Sequence, residues 1–241
     1  MLRLLTLFIS FCSPPQLPPE APELVEMLPG IRVAEGVVEF DATIAVDAHH
    51  PDTPDVYLEM FVTAPDSREH ESLVLARIKP SNLHAALLAA GFESGAPYGV
   101  DKQGQPVLAH GDALQVFVAT RPETDAAPEF IPLTDWAVHI DTGEPISEDP
   151  RWDGFVFAGS KLTKRGYEAD GAGTLVSLTT FSNEVIAPKW SVSNLAEIDE
   201  PVWIASRQVL PKQGEPVIIK IMRAEPEASH EPDRVNIDRD P

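Results

Sequence analysis

Asp66-Ser-Arg-Glu-His-Glu-Ser-Leu-Val-Leu-Ala-Arg-Ile-Lys-Pro-Ser-Asn-Leu-His-Ala-Ala-Leu-Leu-Ala-Ala-Gly91 is the stretch on which the fold reading turns. Ser72 to Ile78 is apolar enough to read as a strand. After Pro80 the period changes, and Leu83, Ala86, Leu87 and Ala90 fall at helical spacing on one stripe. Ser81 is placed to cap the first helical amides, and Gly91 suits the exit. So short a helix depends on docking against a sheet for its stability. The same unit interleaves the ionisable side chains of His70, Glu71 and His84 with the strand-to-helix pattern.

On either side of it the chain reads as strands. Ile31-Arg-Val33, Val37 to Val46 and Tyr57 to Thr63 precede it. Leu114 to Thr120, Trp136 to Ile140, Phe155 to Ala158, Thr174 to Phe181, Trp203 to Val209 and Val217 to Met222 follow. Ala64 to Glu69 reads as a turn, so the strands flanking it are expected to pair antiparallel. Few intervals between strands carry a helical pattern long enough for a crossover helix, which argues against a doubly wound parallel sheet. The expected class is α+β: a strand-rich, mostly antiparallel sheet with one short helix packed on it.

The chain has 241 residues, long enough to bury a substantial core. Residues 30–222 read as a single domain. Met1 to Ser13 forms an apolar segment with the length of a signal-peptide core, and residues 14–29 a Pro-rich spacer. Residues 223–241 are acidic and poor in apolar side chains, as expected of a solvated tail. If the first segment is a signal the protein is exported or periplasmic, and otherwise cytoplasmic; the segment is too short to span a bilayer. With 18 basic against 38 acidic residues the formal charge is -20, which disfavours phosphate backbones as partners. Cys12 is the only cysteine, so the chain can form no internal disulfide and supplies no cysteine-ligated cluster.

His70, Glu71 and His84 make the candidate site. If the helix folds back over the strand, two imidazoles and a carboxylate could ligate a divalent metal such as zinc, with Glu69 orienting a ligand or a bound water. In a proton-transfer version Glu71 orients one histidine while the other meets substrate. The plain alternative makes His84 a packing residue bonded to Glu71 or to the sheet, with His70 at a surface turn. No cofactor beyond such a metal is implied. Ser160 follows Gly159 at a strand exit but lacks the nucleophile-elbow pattern. Trp152, between Arg151 and Asp153, is expected to be the partly exposed tryptophan and joins Glu69, His70, Glu71 and His84 as a candidate binding residue. With no complete reaction machinery legible, an accessory or binding role, for an unknown protein or small ligand, ranks ahead of a His/Glu or metal-dependent enzyme.

Four blocks resemble the YdjY-type domain: Glu69-His-Glu-Ser-Leu-Val74, Lys79 to Phe92, Trp152-Asp-Gly-Phe-Val-Phe-Ala-Gly-Ser160, and Tyr167 to Phe181 with its acid-Gly-x-Gly turn. The resemblance covers roughly residues 30 to 222. It implies a largely uncharacterised bacterial domain, found in some exported proteins or beside ferredoxin-like modules. The positions it marks are Glu69, His70, Glu71, Ser72, His84, Trp152, Gly159, Ser160, Tyr167 and Asp170, none with a catalytic role to transfer. The chain carries no ferredoxin module of its own.

Overall fold

The computed structural model describes residues 23–52, 55–122, 124, 126 and 127–224. The apolar start with Cys12, most of the Pro-rich spacer and nearly all of the acidic tail lie outside these residues. Twelve elements carry the fold: β1 (Val25–Leu28), β2 (Ile31–Ala34), β3 (Val37–Ile44), β4 (Met60–Thr63), β5 (Ser72–Leu75), α1 (Pro80–Ala89), β6 (Ala113–Thr120), β7 (Phe155–Phe157), α2 (Glu168–Ala172), β8 (Thr174–Ser177), β9 (Ile186–Pro188) and β10 (Pro216–Arg223). The chain enters the sheet at β1, inside the stretch read as a spacer, and β1 pairs antiparallel with β2.

The α+β expectation is corrected by the strand pairing. The order β3-β10-β6-β7-β9-β8-β4-β5 closes on itself, because Thr43 and Ile44 of β3 pair with Leu75 and Val74 of β5. The result is a closed eight-stranded barrel, mostly sheet, with helices of only 10 and 5 residues. Alternation reports which face of a strand is buried and says nothing about which strand lies beside it, so an open sheet and a ring read alike in sequence. Along the long strands alternate side chains fill the interior: Val38 and Phe40 from β3, Val116 and Val118 from β6, Ile219 and Ile221 from β10. Burying each such side chain contributes about 1.5–3 kcal/mol. On the outer face Lys220 reaches Glu39 at 2.8 Å and lies over the Phe130 ring.

Two of the eight seams are parallel, β4–β5 and β8–β9. The first departs from the hairpin expected across Ala64 to Glu69. Residues 64–71 run back along the strand instead of reversing; at ~3.3 Å per residue they reach roughly 26 Å, twice what a four-residue strand needs. Their path is fixed by Ala64 N–H donating to Gly173 O and by the 3-10 turn Glu69–Glu71.

Helix α1 buries the expected stripe of Leu83, Ala86 and Leu87, with Ala90 just beyond it. Its start differs from expectation. Pro80 takes the first turn, and Ser81 donates both its N–H and its hydroxyl to Asp170, 89 residues on, at 2.7 Å. A carboxylate from α2 thereby does the capping that a local serine was expected to do, and it ties the two helices together. No described helix is long and apolar enough to cross a membrane.

Candidate functional site

The sequence-predicted residues fall in three places on the short-stranded side of the barrel. The first is the turn before β5. Glu69 accepts the Asp66 N–H at 2.9 Å and so fixes the bend, while His70 projects with its side chain 78% exposed, 3.6 Å from Glu71. Arg68 binds Glu59 at 2.6 Å, stands 3.7 Å from Glu71, and stacks its guanidinium 4.6 Å from the Phe181 ring centre. Burial and the neighbouring Glu71 push the Glu59 carboxyl above its ordinary range, against the pull of Arg68. Of these groups Glu59 and Glu71 border a cleft of about 290 Å³ that also includes Tyr57, Asp199 and Trp203. Glu59 and Arg68 had no signal in the sequence, being nine residues apart with a crossover between them.

The second place holds His84. Its Nδ1 lies 3.0 Å from Gly159 O and 2.9 Å from the Tyr167 hydroxyl, which itself donates to Gly159 O at 2.9 Å. The ring stands edge-on to Phe157 and Tyr167. In the tautomer that satisfies both contacts to Gly159, the imidazole and the phenol donate to one carbonyl. Burial holds the His84 pKa below that of a free imidazole, partly offset by the Gly159 carbonyl, so the ring is neutral at pH 7. Burial, and then Asp170, drive the Tyr167 hydroxyl upward, so it stays protonated. Ser160, at φ 54°, donates to Asn183 O at 2.6 Å and accepts the Ala169 N–H. That hydroxyl is engaged in holding the chain. Gly159 has φ +81°, and a Cβ there would meet Ser94 Cβ at 2.8 Å and His84 Cε1 at 3.1 Å. The motif positions His84, Gly159, Ser160, Tyr167 and Asp170, together with Ser81, thus make one tied knot.

The His84 ring packs against Phe157 and Tyr167, and its hydrogen-bond partners are Gly159 and Tyr167 where Glu71 or the sheet was expected. The contacts of His84 and those of the His70–Glu71 pair have no residue in common. Among the described residues no three His, Cys, Asp or Glu side chains gather as a metal-holding group.

The third place surrounds Trp152. Trp136, Trp190 and Trp203 are buried, whereas Trp152 is half-buried, its ring edge-on to Phe155 at 4.9 Å and to Trp190 at 5.0 Å. Its free side lines a groove of about 860 Å³, shared with Gln115, Val116, Phe117, Lys189 and Arg223. The groove follows from strand lengths. β6 pairs with β10 over its whole inner length, but on its other edge only Ala113 and Leu114 meet β7, and only Phe117 and Val118 meet Ile131–Pro132. Gln115 and Val116 lie in the gap.

The direction of the peptide groups there is fixed by register. Ala224 N–H bonds Ala113 O, and Arg121 N–H bonds Pro216 O, at the two ends of the β6–β10 ladder. In an antiparallel pair alternate residues bond to the same neighbour. Residues 113, 115, 117, 119 and 121 therefore point to β10, and Val116 turns its N–H and C=O toward the groove. Among the described residues neither group has a backbone partner. The rim cations are each matched: Lys189 with Asp153, and Arg223 with Asp112.

A closed β-barrel with a lateral groove, its loops cross-braced by a histidine–tyrosine–carbonyl knot, is the class that fold and geometry define. The chain belongs to the YdjY domain family, whose model matches residues 31–222. That family has no established function. No curated protein and no solved structure matches the chain.

Proposed function

We propose that the domain is a binding module that takes an extended polypeptide segment in the Trp152 groove. The observation that carries the reading is the Val116 peptide group, a donor and an acceptor on a strand edge, flanked by the Trp152 and Phe117 rings. An unpaired donor and acceptor on a strand edge are a template that an added peptide strand engages by completing the ladder. Aromatic walls then supply the contact area for alternate side chains of the ligand. The rival reading, in which His70, Glu71 and His84 act on a divalent metal or a proton, needs a convergence that their separate contacts do not supply. The unit in question is residues 30–222, and limited proteolysis should leave one protected core.

The test is selection of binders from a random peptide library, followed by calorimetry. Selected peptides should lose about tenfold or more in affinity for Trp152→Ala, whose circular dichroism stays native. Failure to select any peptide, or peptides that bind Trp152→Ala as well as the parent, would overturn the reading. Selective capture of a small apolar ligand instead would keep the groove and replace its occupant.

A further inference from the structure

A second surface, remote in chemistry from the groove, is built by Leu162–Thr163 and Gly166–Tyr167, which pair as a tight hairpin with Lys164 and Arg165 at the turn. Lys161, Lys164 and Arg165 are exposed, and Leu162 is 82% exposed. Elsewhere on the barrel Arg32, Arg68, Arg121, Arg151, Lys189, Lys220 and Arg223 have carboxylate partners, and the cations without one, Arg77, Lys79, Lys102, Arg207 and Lys212, nowhere gather three together in sequence. Among the described residues Lys161, Lys164 and Arg165 have none. Three unpaired positive charges within five residues, on a chain of formal charge -20, form a local reversal of the molecule's sign.

The hairpin is held in place. Glu168 N–H donates to Lys161 O, and Arg165 N–H to the Thr163 hydroxyl. Tyr167 anchors its base through the bond to Gly159 O. Little backbone conformational entropy remains to be lost when the tip is engaged. Its single exposed apolar side chain adds a contact that a purely ionic patch lacks.

We propose that this hairpin docks an acidic stretch of a partner polypeptide, with carboxylates on Lys161, Lys164 and Arg165 and an apolar residue against Leu162. Charge complementarity is the argument for that occupant. A flexible acidic segment meets the tip alone, and at physiological salt the screening length of about 8 Å hides most of the negative body from it. An extended anionic surface such as a membrane would face both the tip and the acidic barrel behind it.

The probe is fluorescein-labelled poly-L-glutamate, read by anisotropy with the full chain. Binding is expected at 50 mM salt and weakened about tenfold or more at 300 mM, as for exposed charge pairs. The variant Lys161→Glu/Lys164→Glu/Arg165→Glu alters only exposed side chains and should abolish binding while its thermal transition stays within a few degrees of the parent. No binding by the parent overturns the proposal, as does equal binding by a folded triple variant. Should the triple variant fail to fold, Lys164→Gln/Arg165→Gln at the turn replaces it and must weaken binding at least threefold. Sedimentation with phosphatidylglycerol vesicles in the absence of glutamate binding would also overturn it, in favour of a membrane.

Discussion

The barrel has two unlike walls. On one, β3 and β10 run eight residues each and are paired over seven of them, and β6 continues the same long ladder. On the other, β7, β9, β8, β4 and β5 are three or four residues long, two of the seams are parallel, and pairings cover only one to three residues. The long wall is held by backbone ladders that run almost the full length of its strands. The short wall is stitched by side chains to backbone: Ser160 to Asn183, Tyr167 to Gly159, Thr174 to Asn183. Its three non-glycine residues at positive φ, Asp66, Ser160 and Ser182, all lie in its connections. Where a long strand runs past a short neighbour, backbone is left unmatched, and the Trp152 groove opens there. The candidate binding surface is therefore a product of the mismatch between the walls.

The largest effect expected from testing this contrast is on the long wall. Ile219→Ala removes a fully buried side chain from the middle of β10. It should cost about 2–5 kcal/mol in urea unfolding and raise amide exchange throughout the barrel. A loss confined to a few neighbouring amides would break the view of that wall as the cooperative frame.

Gly159→Ala should cost about 1–3 kcal/mol, from the positive φ and the crowding by Ser94 and His84, with the change concentrated in the short wall. Tyr167→Phe deletes the hydroxyl shared with Gly159 and His84 and should cost about 0.5–1.5 kcal/mol. Its amide-exchange signature belongs to β7 and the Leu162–Tyr167 hairpin, with β3 and β10 unchanged. If β3 and β10 exchange faster in that variant, the two walls are more tightly coupled than described.

The smallest effects are in pH, where two groups of the short wall oppose each other. His84 has a folded pKa below that of the unfolded chain, about 6.5. The native state then binds fewer protons, so this contribution is present above that value and is lost as pH falls through the folded pKa. Glu184 is fully buried, accepts the Phe181 and Ser182 N–H groups, and has its second oxygen unpartnered. Burial raises its pKa above the unfolded value of about 4.3, so its contribution is present below that value and is lost as pH rises through the folded pKa. His84→Gln should flatten the acid side of the stability profile, and Glu184→Gln the neutral side. Unfolding midpoints from pH 4 to 8 check both.

Much of the long wall was legible in the sequence. Val37 to Val46 alternates in part, Leu114 to Thr120 imperfectly, and Val217 to Met222 is a short apolar run, and all three are strands. The α1 stripe read correctly because one face of the helix meets the core. Closure through Ile44 and Val74 and the parallel return from Thr63 to Ser72 did not read, because pairing is a relation between distant segments. The Ser81–Asp170 cap and the Arg68–Glu59 pair were hidden likewise, by 89 residues in one case and by a crossover in the other. Proximity along the chain suggested a joint site of His70 and His84. The fold gives each its own neighbours, and of the candidate binding residues Trp152 alone lines the larger groove.

The central claim is that the gap between β7 and Ile131–Pro132 leaves the Val116 peptide group facing a groove. Residue-resolved amide exchange in the free protein tests it most directly. Gln115 and Phe117 donate to β10, and Leu114 and Val118 to their short neighbours, so all four should be protected while Val116 exchanges orders of magnitude faster. A groove-binding peptide should then slow Val116 selectively. Protection of Val116 equal to that of its neighbours in the free protein would show the edge already paired and contradict the account.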